Sequence, residues 1–308
     1  MNATAEKPLI LPPALAPGAT IGLAPLAGPW QEEPFNKGIN FLRDCGYQVK
    51  MLRHETASEP FLAAPDEERA EIFMELYQDP EVAAVLACRG GYGTMRILPL
   101  LDFDIFRHQE GAKSIIGFSD ISGLLNVISG QSGLVTFHGP NLTTLSSSDT
   151  ASQDAFRELL SQRHCSQLDL SNDLEIINPG SAKGILCGGN LTTLAHLLAT
   201  PYELDWSQKI LFLEDVGEPP YRIDRLLSQL ALGGHLERIS GLLLGQFSNC
   251  GEEEAIWQRC RDLLPPATPL WAGLAVGHGR ANHWLPLGLP MIMDGSSGQL
   301  QPASPYHC

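Results

Sequence analysis

The chain reads as an α/β protein. We expect an N-terminal Rossmann-like domain built on a parallel sheet, followed by a smaller C-terminal α/β domain with a mixed sheet. Three observations predict this. Short apolar strands alternate with amphipathic helices through the first half. Glycine- or serine-bearing turns follow several of those strands, where sites of parallel sheets lie. A polar stretch, residues 163–182, then separates this half from a second α/β half. At 308 residues the chain is long enough for two domains.

Taken in order, residues 1–17 read as a frayed or surface-laid arm, because Leu9-Ile10-Leu11 is broken at once by Pro12 and Pro13. The N-terminal domain is expected over residues 18–162. Thr20-Ile21-Gly22-Leu23-Ala24 is a strand that runs into the Pro25 to Pro29 loop. Gln31 to Cys45 carries Phe35, Ile39 and Leu42 on one helical stripe, and Gly46 stops it. Tyr47 to Leu52 is a strand, and Asp66 to Tyr77 a helix with an acidic first turn. Val82 to Cys88 is a buried strand followed by the turn Arg89-Gly90-Gly91-Tyr92-Gly93 and another helix. Ser114-Ile115-Ile116 is a strand, and Ile121 to Ile128 a helix. A helix around Gln153 to Ser161 precedes the linker.

The C-terminal domain is expected over residues 183–308. Gly184 to Cys187 leads through Gly188-Gly189-Asn190 into a helix from Leu191. Lys209 to Leu213 and Leu242 to Phe247 read as strands, and Tyr221 to Leu232 and Glu252 to Leu264 as helices. Leu274-Ala275-Val276 reads as a strand running into Gly277-His278-Gly279. Short strand-like pieces around Pro290 to Met293 and Gln299 to Gln301 finish the chain.

Composition narrows the function. Hydrophobic residues make up 44% and charged residues 18%, as in a well-packed globular protein. A net charge of −15 disfavours nucleic acid, whose phosphates demand a basic face, and disfavours an anionic membrane surface. An anionic small substrate would need a local cluster of Arg or Lys. No apolar run is long enough to span a bilayer, and the first residues lack a secretory pattern, so a cytoplasmic location is expected. Seven scattered cysteines form no C-x-x-C pair and no zinc spacing, which predicts reduced thiols and neither metal nor other cofactor.

The chemistry concentrates at Gly117-Phe118-Ser119-Asp120, a strand-to-helix corner. A serine there exposes its hydroxyl beside free helix N–H groups. The closing glycine usual in such elbows is Ile121 here. A serine hydroxyl is a poor nucleophile until an imidazole takes its proton, and a carboxylate must orient that imidazole. His278, flanked by Gly277 and Gly279, is the candidate base. Glu214, ending an apolar strand, is the candidate carboxylate. Gly91 and Asp120 are the candidate backbone donors to an oxyanion. Each has an ordinary structural reading too. The glycine turn could be only a tight turn, His278 a hydrogen-bonded structural histidine, and Glu214 a helix cap or a partner of Arg222 or Arg225. Asp215 and Glu218 compete for the carboxylate role, and Cys187 with His138 could suggest a thiol nucleophile, although Cys187 ends an apolar strand.

Together, six blocks in order resemble the LD-carboxypeptidase family of serine peptidases, over about residues 18 to 300. They are Arg89-Gly90-Gly91-Tyr92-Gly93; Gly117-Phe118-Ser119-Asp120; Phe137-His138-Gly139-Pro140; Gly188-Gly189-Asn190-Leu191; Leu213-Glu214-Asp215 with Pro220-Tyr221-Arg222-Ile223-Asp224-Arg225; and Gly277-His278 with Leu285-Pro286-Leu287-Gly288. The resemblance implies Ser119 as nucleophile, Glu214 as acid partner and His278 as base. It implies an oxyanion hole at Asp120 and the glycine turn, no metal, and often a homodimer. The implied substrate is a murein tetrapeptide or its muramyl- or UDP-linked forms, cut between the L-centre of meso-diaminopimelate or lysine and terminal D-alanine in peptidoglycan recycling. Arg89, Tyr92, Asn190, Arg222 and Arg225 are the substrate-binding candidates. A related branch hydrolyses peptidyl-nucleotide antibiotics such as microcin C with the same triad, and a noncatalytic ligand-binding protein would keep only the fold. One departure lies in the first loop, where Ala24-Pro25-Leu26-Ala27-Gly28 replaces the family's usual Ala-Pro-Ser-Gly, so no loop hydroxyl is available.

Overall fold

Apolar runs too short for helices become strands. Thr20–Ala24 (β1), Gln48–Lys50 (β2), Val82–Ala87 (β3), Ser114–Gly117 (β4) and Thr136–His138 (β5) pair in parallel in the computed structural model. The structure describes residues 8–53, 60–161 and 174–304. The strand order β2-β1-β3-β4-β5 reverses direction between β1 and β3. In open parallel sheets, such a switch point opens a crevice at the carboxyl ends of the strands. The loops after β1 and β3 meet there, with the Gly28 N–H donating to the Gly90 carbonyl at 3.0 Å. The helices Glu32–Asp44 (α1), Asp66–Gln78 (α2), Thr94–Ile97 (α3), Ile121–Ser132 (α4), Leu142–Leu145 (α5) and Thr150–Ser161 (α6) belong to this half.

The second half forms a seven-stranded mixed sheet. Its members are Glu175–Asn178 (β6), Ala182–Asn190 (β7), Lys209–Val216 (β8), Gly241–Ser248 (β9), Leu270–Ala272 (β10), Pro290–Asp294 (β12) and Gln299–Pro302 (β13). The order is β13-β12-β7-β8-β9-β10-β6, parallel at its centre and antiparallel at both margins. Leu191–His196 (α7), Pro220–Leu232 (α8) and Glu253–Leu263 (α9) cover one face over a core of Leu194, Leu211, Leu213, Ile223, Leu227 and Ile256. The larger core is continuous between the two sheets, with Leu186, Ile210 and Phe212 joining Ile116, Ile121 and Leu125. Among the described residues, no helix is long and apolar enough to cross a membrane.

Three features differ from the sequence reading. The linker expected at 163–182 contains β6, which pairs antiparallel with β10; the rest of that stretch before residue 174 lies outside the described residues. Leu285–Leu287 (β11) crosses from the second half to the first sheet and pairs with β5. Leu274–Val276 is not a strand: Gly273, at φ +80°, ends β10, and the segment is held by single bonds from Leu274 N to Leu244 O and from Gln246 N to Val276 O. Of the expected arm, residues 1–7 lie outside the described residues, while Ile10 is buried and bridges Leu134.

The halves interlock where α4 meets β7. Asn126 donates to the Gly188 carbonyl at 2.7 Å, and its Oδ1 accepts from the Gly188 N–H at 2.8 Å. Ser122 Oγ accepts from the Asn190 N–H at 3.2 Å. Glycine at 189 allows this approach, since a Cβ there (φ +137°) would strike Ser122, while a Cβ at Gly188 (φ +132°) would strike the Phe212 backbone of the adjacent β8. Asn126→Ala is expected to lower unfolding free energy by about 3 kcal/mol in a denaturant titration, because it leaves two buried Gly188 groups without partners. A loss near zero would contradict this role for the joint.

Candidate active site

Ser119 sits between the end of β4 and the start of α4 with φ +66°, a conformation rarely tolerated outside glycine. The surroundings hold it there. Asn141 Oδ1 accepts from the Phe118 N–H at 3.2 Å. Asp120 is tied to the glycine turn: its Oδ2 accepts from Thr94 N–H and from Thr94 Oγ1, both at 2.8 Å. Burial raises the Asp120 carboxyl pKa, with the Thr94 bonds opposing that shift. Gly90 packs directly over the serine; a Cβ there would lie 2.8 Å from Ser119 Cβ and 3.0 Å from its Oγ.

Glu214 lies in β8 and is fully buried at 0% exposure, where a lone carboxylate would be costly. Its Oε2 meets His278 Nδ1 at 2.6 Å. Gly277, at φ +133°, makes room, since a Cβ there would come within 3.0 Å of Glu214 Oε2. The loop bearing His278 is pinned on both sides. Asn282 Oδ1 accepts from Gly277 N–H at 3.0 Å, and Gln246 Oε1 accepts from Gly279 N–H at 2.7 Å. Burial opposes the imidazolium, yet the Glu214 hydrogen bond and charge outweigh it and hold the His278 pKa above its ordinary value.

The elbow and this pair converge. The Phe118 ring lies 4.8 Å from the His278 ring, which sets the residue beside Ser119 against the imidazole. Among the described residues no hydrogen bond joins Ser119 to His278, and the pair is associated through the Phe118 contact. Gly91 (φ +114°) is exposed on the glycine turn, and among the described residues neither its N–H nor that of Asp120 donates to a protein acceptor. The arrangement can carry out acyl transfer: a hydroxyl on a strained corner, an imidazole oriented by a buried carboxylate, and main-chain donors beside them.

The rival assignments separate on their partners. Asp215 accepts from Asn190 Nδ2, Val216 N–H, Thr192 N–H and Thr192 Oγ1, which commits its carboxylate to the start of α7. Asn190 caps the same helix through Thr193, so its side chain is engaged within the protein rather than open to a ligand. Glu218 pairs with Arg222 at 3.3 Å on the surface. Arg225 lies over the Tyr221 ring at 5.4 Å. Arg89 is exposed, with its guanidinium on the Pro29 carbonyl. Tyr92 is half exposed beside Phe61, ring centroids 5.8 Å apart. Burial pushes the Cys187 thiol up to about 12, which removes it as a nucleophile. His138 is buried between Phe118 and Phe212, and burial pushes its pKa down to about 3, so it is neutral. Sequence reasoning missed Asn141, Gln246 and Asn282. Gln246 carried a signal, as a lone polar residue inside the apolar run Leu242–Phe247; the other two lie in loops that gave none.

Known proteins bear on this geometry. The profile of the LD-carboxypeptidase N-terminal domain matches residues 21–139, and that of the C-terminal domain matches residues 183–293. A probable murein peptide carboxypeptidase of Bacillus subtilis is 35% identical over 292 residues, covering 92% of this chain and 91% of that protein. The crystal structure of a muramoyltetrapeptide carboxypeptidase from Oxalobacter formigenes superposes with TM-score 0.78 at 31% identity, covering 92% and 97% of the two chains. The microcin C7 self-immunity protein MccF of Escherichia coli is 26% identical over 94% of each chain. A solved structure of MccF superposes with TM-score 0.87 at 24% identity, covering 98% of this chain and 100% of that one, which establishes the shared fold. The fold and its relatives define a serine-type carboxypeptidase. The chain belongs to the LD-carboxypeptidase family.

Gly90→Ala is expected to lower kcat at least about 100-fold with the melting temperature nearly unchanged, since its Cβ displaces the nucleophile; wild-type turnover would contradict the contact. A base must be neutral to accept a proton, so kcat/KM should fall as pH drops through a His278 pKa above 6.5. Glu214→Gln should move that limb to lower pH and reduce kcat by roughly 10³-fold. An unmoved limb in the variant would show that another group titrates.

Proposed function

We propose that this enzyme releases terminal D-alanine from murein tetrapeptides, cutting the bond to the L-centre of meso-diaminopimelate or lysine. The observation that carries the reading is the buried His278–Glu214 pair at 2.6 Å, set against the Phe118-Ser119 elbow. The printed activities of the Bacillus and Oxalobacter relatives support the substrate class. In this reading the half around residues 18–162 supplies the nucleophile, and the half around 183–308 supplies Glu214 and His278.

Ser119 Oγ attacks the carbonyl preceding D-alanine, and its proton passes to His278 Nε2. Glu214 stabilises the imidazolium through Nδ1. The amides of Gly91 and Asp120 receive the oxyanion. His278 then gives its proton to the leaving amine, the C–N bond breaks, and an acyl-Ser119 ester remains. Water, deprotonated by His278, hydrolyses that ester and restores the hydroxyl. The substrate carries several carboxylates, while the protein is strongly acidic. Arg89 is the best-supported local cation, because it is exposed and its recorded partner is a carbonyl rather than a carboxylate. Arg222 is already paired with Glu218. We place the enzyme in cytoplasmic peptidoglycan recycling, acting as a homodimer.

One observation favours a second reading. Phe61 and Tyr92, both half exposed, form an aromatic pair beside the glycine turn that a nucleobase could stack on. That would suit a peptidyl-nucleotide substrate cut by the same triad. Parallel assays of D-alanine release from tetrapeptide and of hydrolysis of an aminoacyl sulfamoyl adenosine separate the two. Ser119→Ala should abolish tetrapeptide turnover, by at least about 10⁴-fold. Release at the wild-type rate in that variant refutes the mechanism.

A further inference from the structure

Arg69 is the most deeply buried cation of the described structure, at 0% exposure in α2, and the catalytic chemistry above makes no use of it. Its guanidinium reaches three separate loops. Nε donates to the Ala64 carbonyl at 3.1 Å, just before α2. Nη1 donates to the Leu26 carbonyl in the loop after β1 and to the Gly93 carbonyl at 3.1 Å in the turn after β3. Nη2 donates to Gly93 again at 3.1 Å and pairs with Asp66. Asp66 is held in turn by Arg96 at 2.8 Å. A buried guanidinium is tolerated only when its fork of donors is filled, and this one is filled by three main-chain carbonyls and the Asp66 carboxylate.

Those carbonyls flank the switch point. Gly93 closes the turn that carries Gly91, and the next residue, Thr94, is bonded to the Asp120 carboxylate and, through Oγ1, to the Asp120 carbonyl at 2.6 Å. The Leu26 loop returns through the Gly28 N–H to the Gly90 carbonyl at 3.0 Å. Arg69 therefore anchors the end of the turn that holds Gly91, and Thr94, the next residue, ties that end to Asp120.

We propose that Arg69 is a positioning residue that sets the spacing between the Gly91 and Asp120 amides. The inference rests on the serine-hydrolase reading of Ser119. Lysine keeps the charge but offers a compact ammonium, which cannot fill five donor positions in a plane. Arg69→Lys should lower kcat for D-alanine release about 30-fold, less than the roughly 10²–10³ cost of deleting an oxyanion donor outright. KM should stay within about threefold and the His278 pH limb should not move, since neither binding nor the base is touched.

The rate of Ser119 modification by a fluorophosphonate is the second readout, because that reaction also builds negative charge on an oxygen in the hole. It should slow in parallel in Arg69→Lys. Gly93→Ala provides a second approach that leaves the arginine in place: at φ +125° its Cβ would strain the turn, meet Leu62 Cδ2 at 2.6 Å and press on both Nη atoms at 3.1 Å. It should show the same loss of kcat, and this holds even where Arg69→Lys does not fold. A lowered melting temperature with wild-type kcat and labelling rate, in either folded variant, overturns the positioning role while leaving the serine mechanism standing. Wild-type protein labelled no faster than Ser119→Ala overturns the serine mechanism, and the Arg69 role with it.

Discussion

The close approach of α4 to β7 is the constraint on which the rest of the molecule depends. In the proposed mechanism the nucleophile comes from one half and its base from the other, so the two halves must meet at a fixed distance. Gly189 removes the side chain that would strike Ser122 of α4, and Asn126 holds Gly188 with two buried hydrogen bonds. Strand β11 adds a second fastening, because a segment of the later half completes the edge of the first sheet. A core shared between the sheets follows from this geometry.

Polar groups are buried around the cleft only where something answers them. Glu214 is fully enclosed, and its charge is met by His278. Asp215, the next residue, is saturated by Asn190 and the start of α7. Two adjacent carboxylates thus take different partners: one meets an imidazole and the other anchors a helix. Among the described residues, Glu214 Oε1, Asn282 Nδ2 and both His138 ring nitrogens are exceptions, buried without a hydrogen-bond partner, and His138 lies against aromatic edges beside the ring that touches His278.

One strained residue lies at the candidate site. Ser119 holds a left-handed backbone that a serine adopts only under compulsion, and Asn141, Thr94 and Gly90 supply that compulsion from three directions. The sheet delivers these groups to one edge, because β1, β3, β4 and β5 are parallel and end on the same side.

The sequence alone determined the local grammar. Apolar runs of five or six residues, with glycine turns between them, specify parallel strands, and Ser119, Glu214 and His278 each end an apolar segment where a polar side chain invites a functional explanation. Order along the chain also disclosed the family. Tertiary structure alone decided the partners. β6 and β11 are short edge strands, whose pairing depends on neighbours far away in sequence and leaves no periodic signal. Leu274–Val276 looked like a strand because it is apolar, but Gly273 turns it out of the ladder. Arg69, Asn141, Gln246 and Asn282 act through hydrogen bonds to main-chain atoms, and a main-chain atom carries no mark in a sequence.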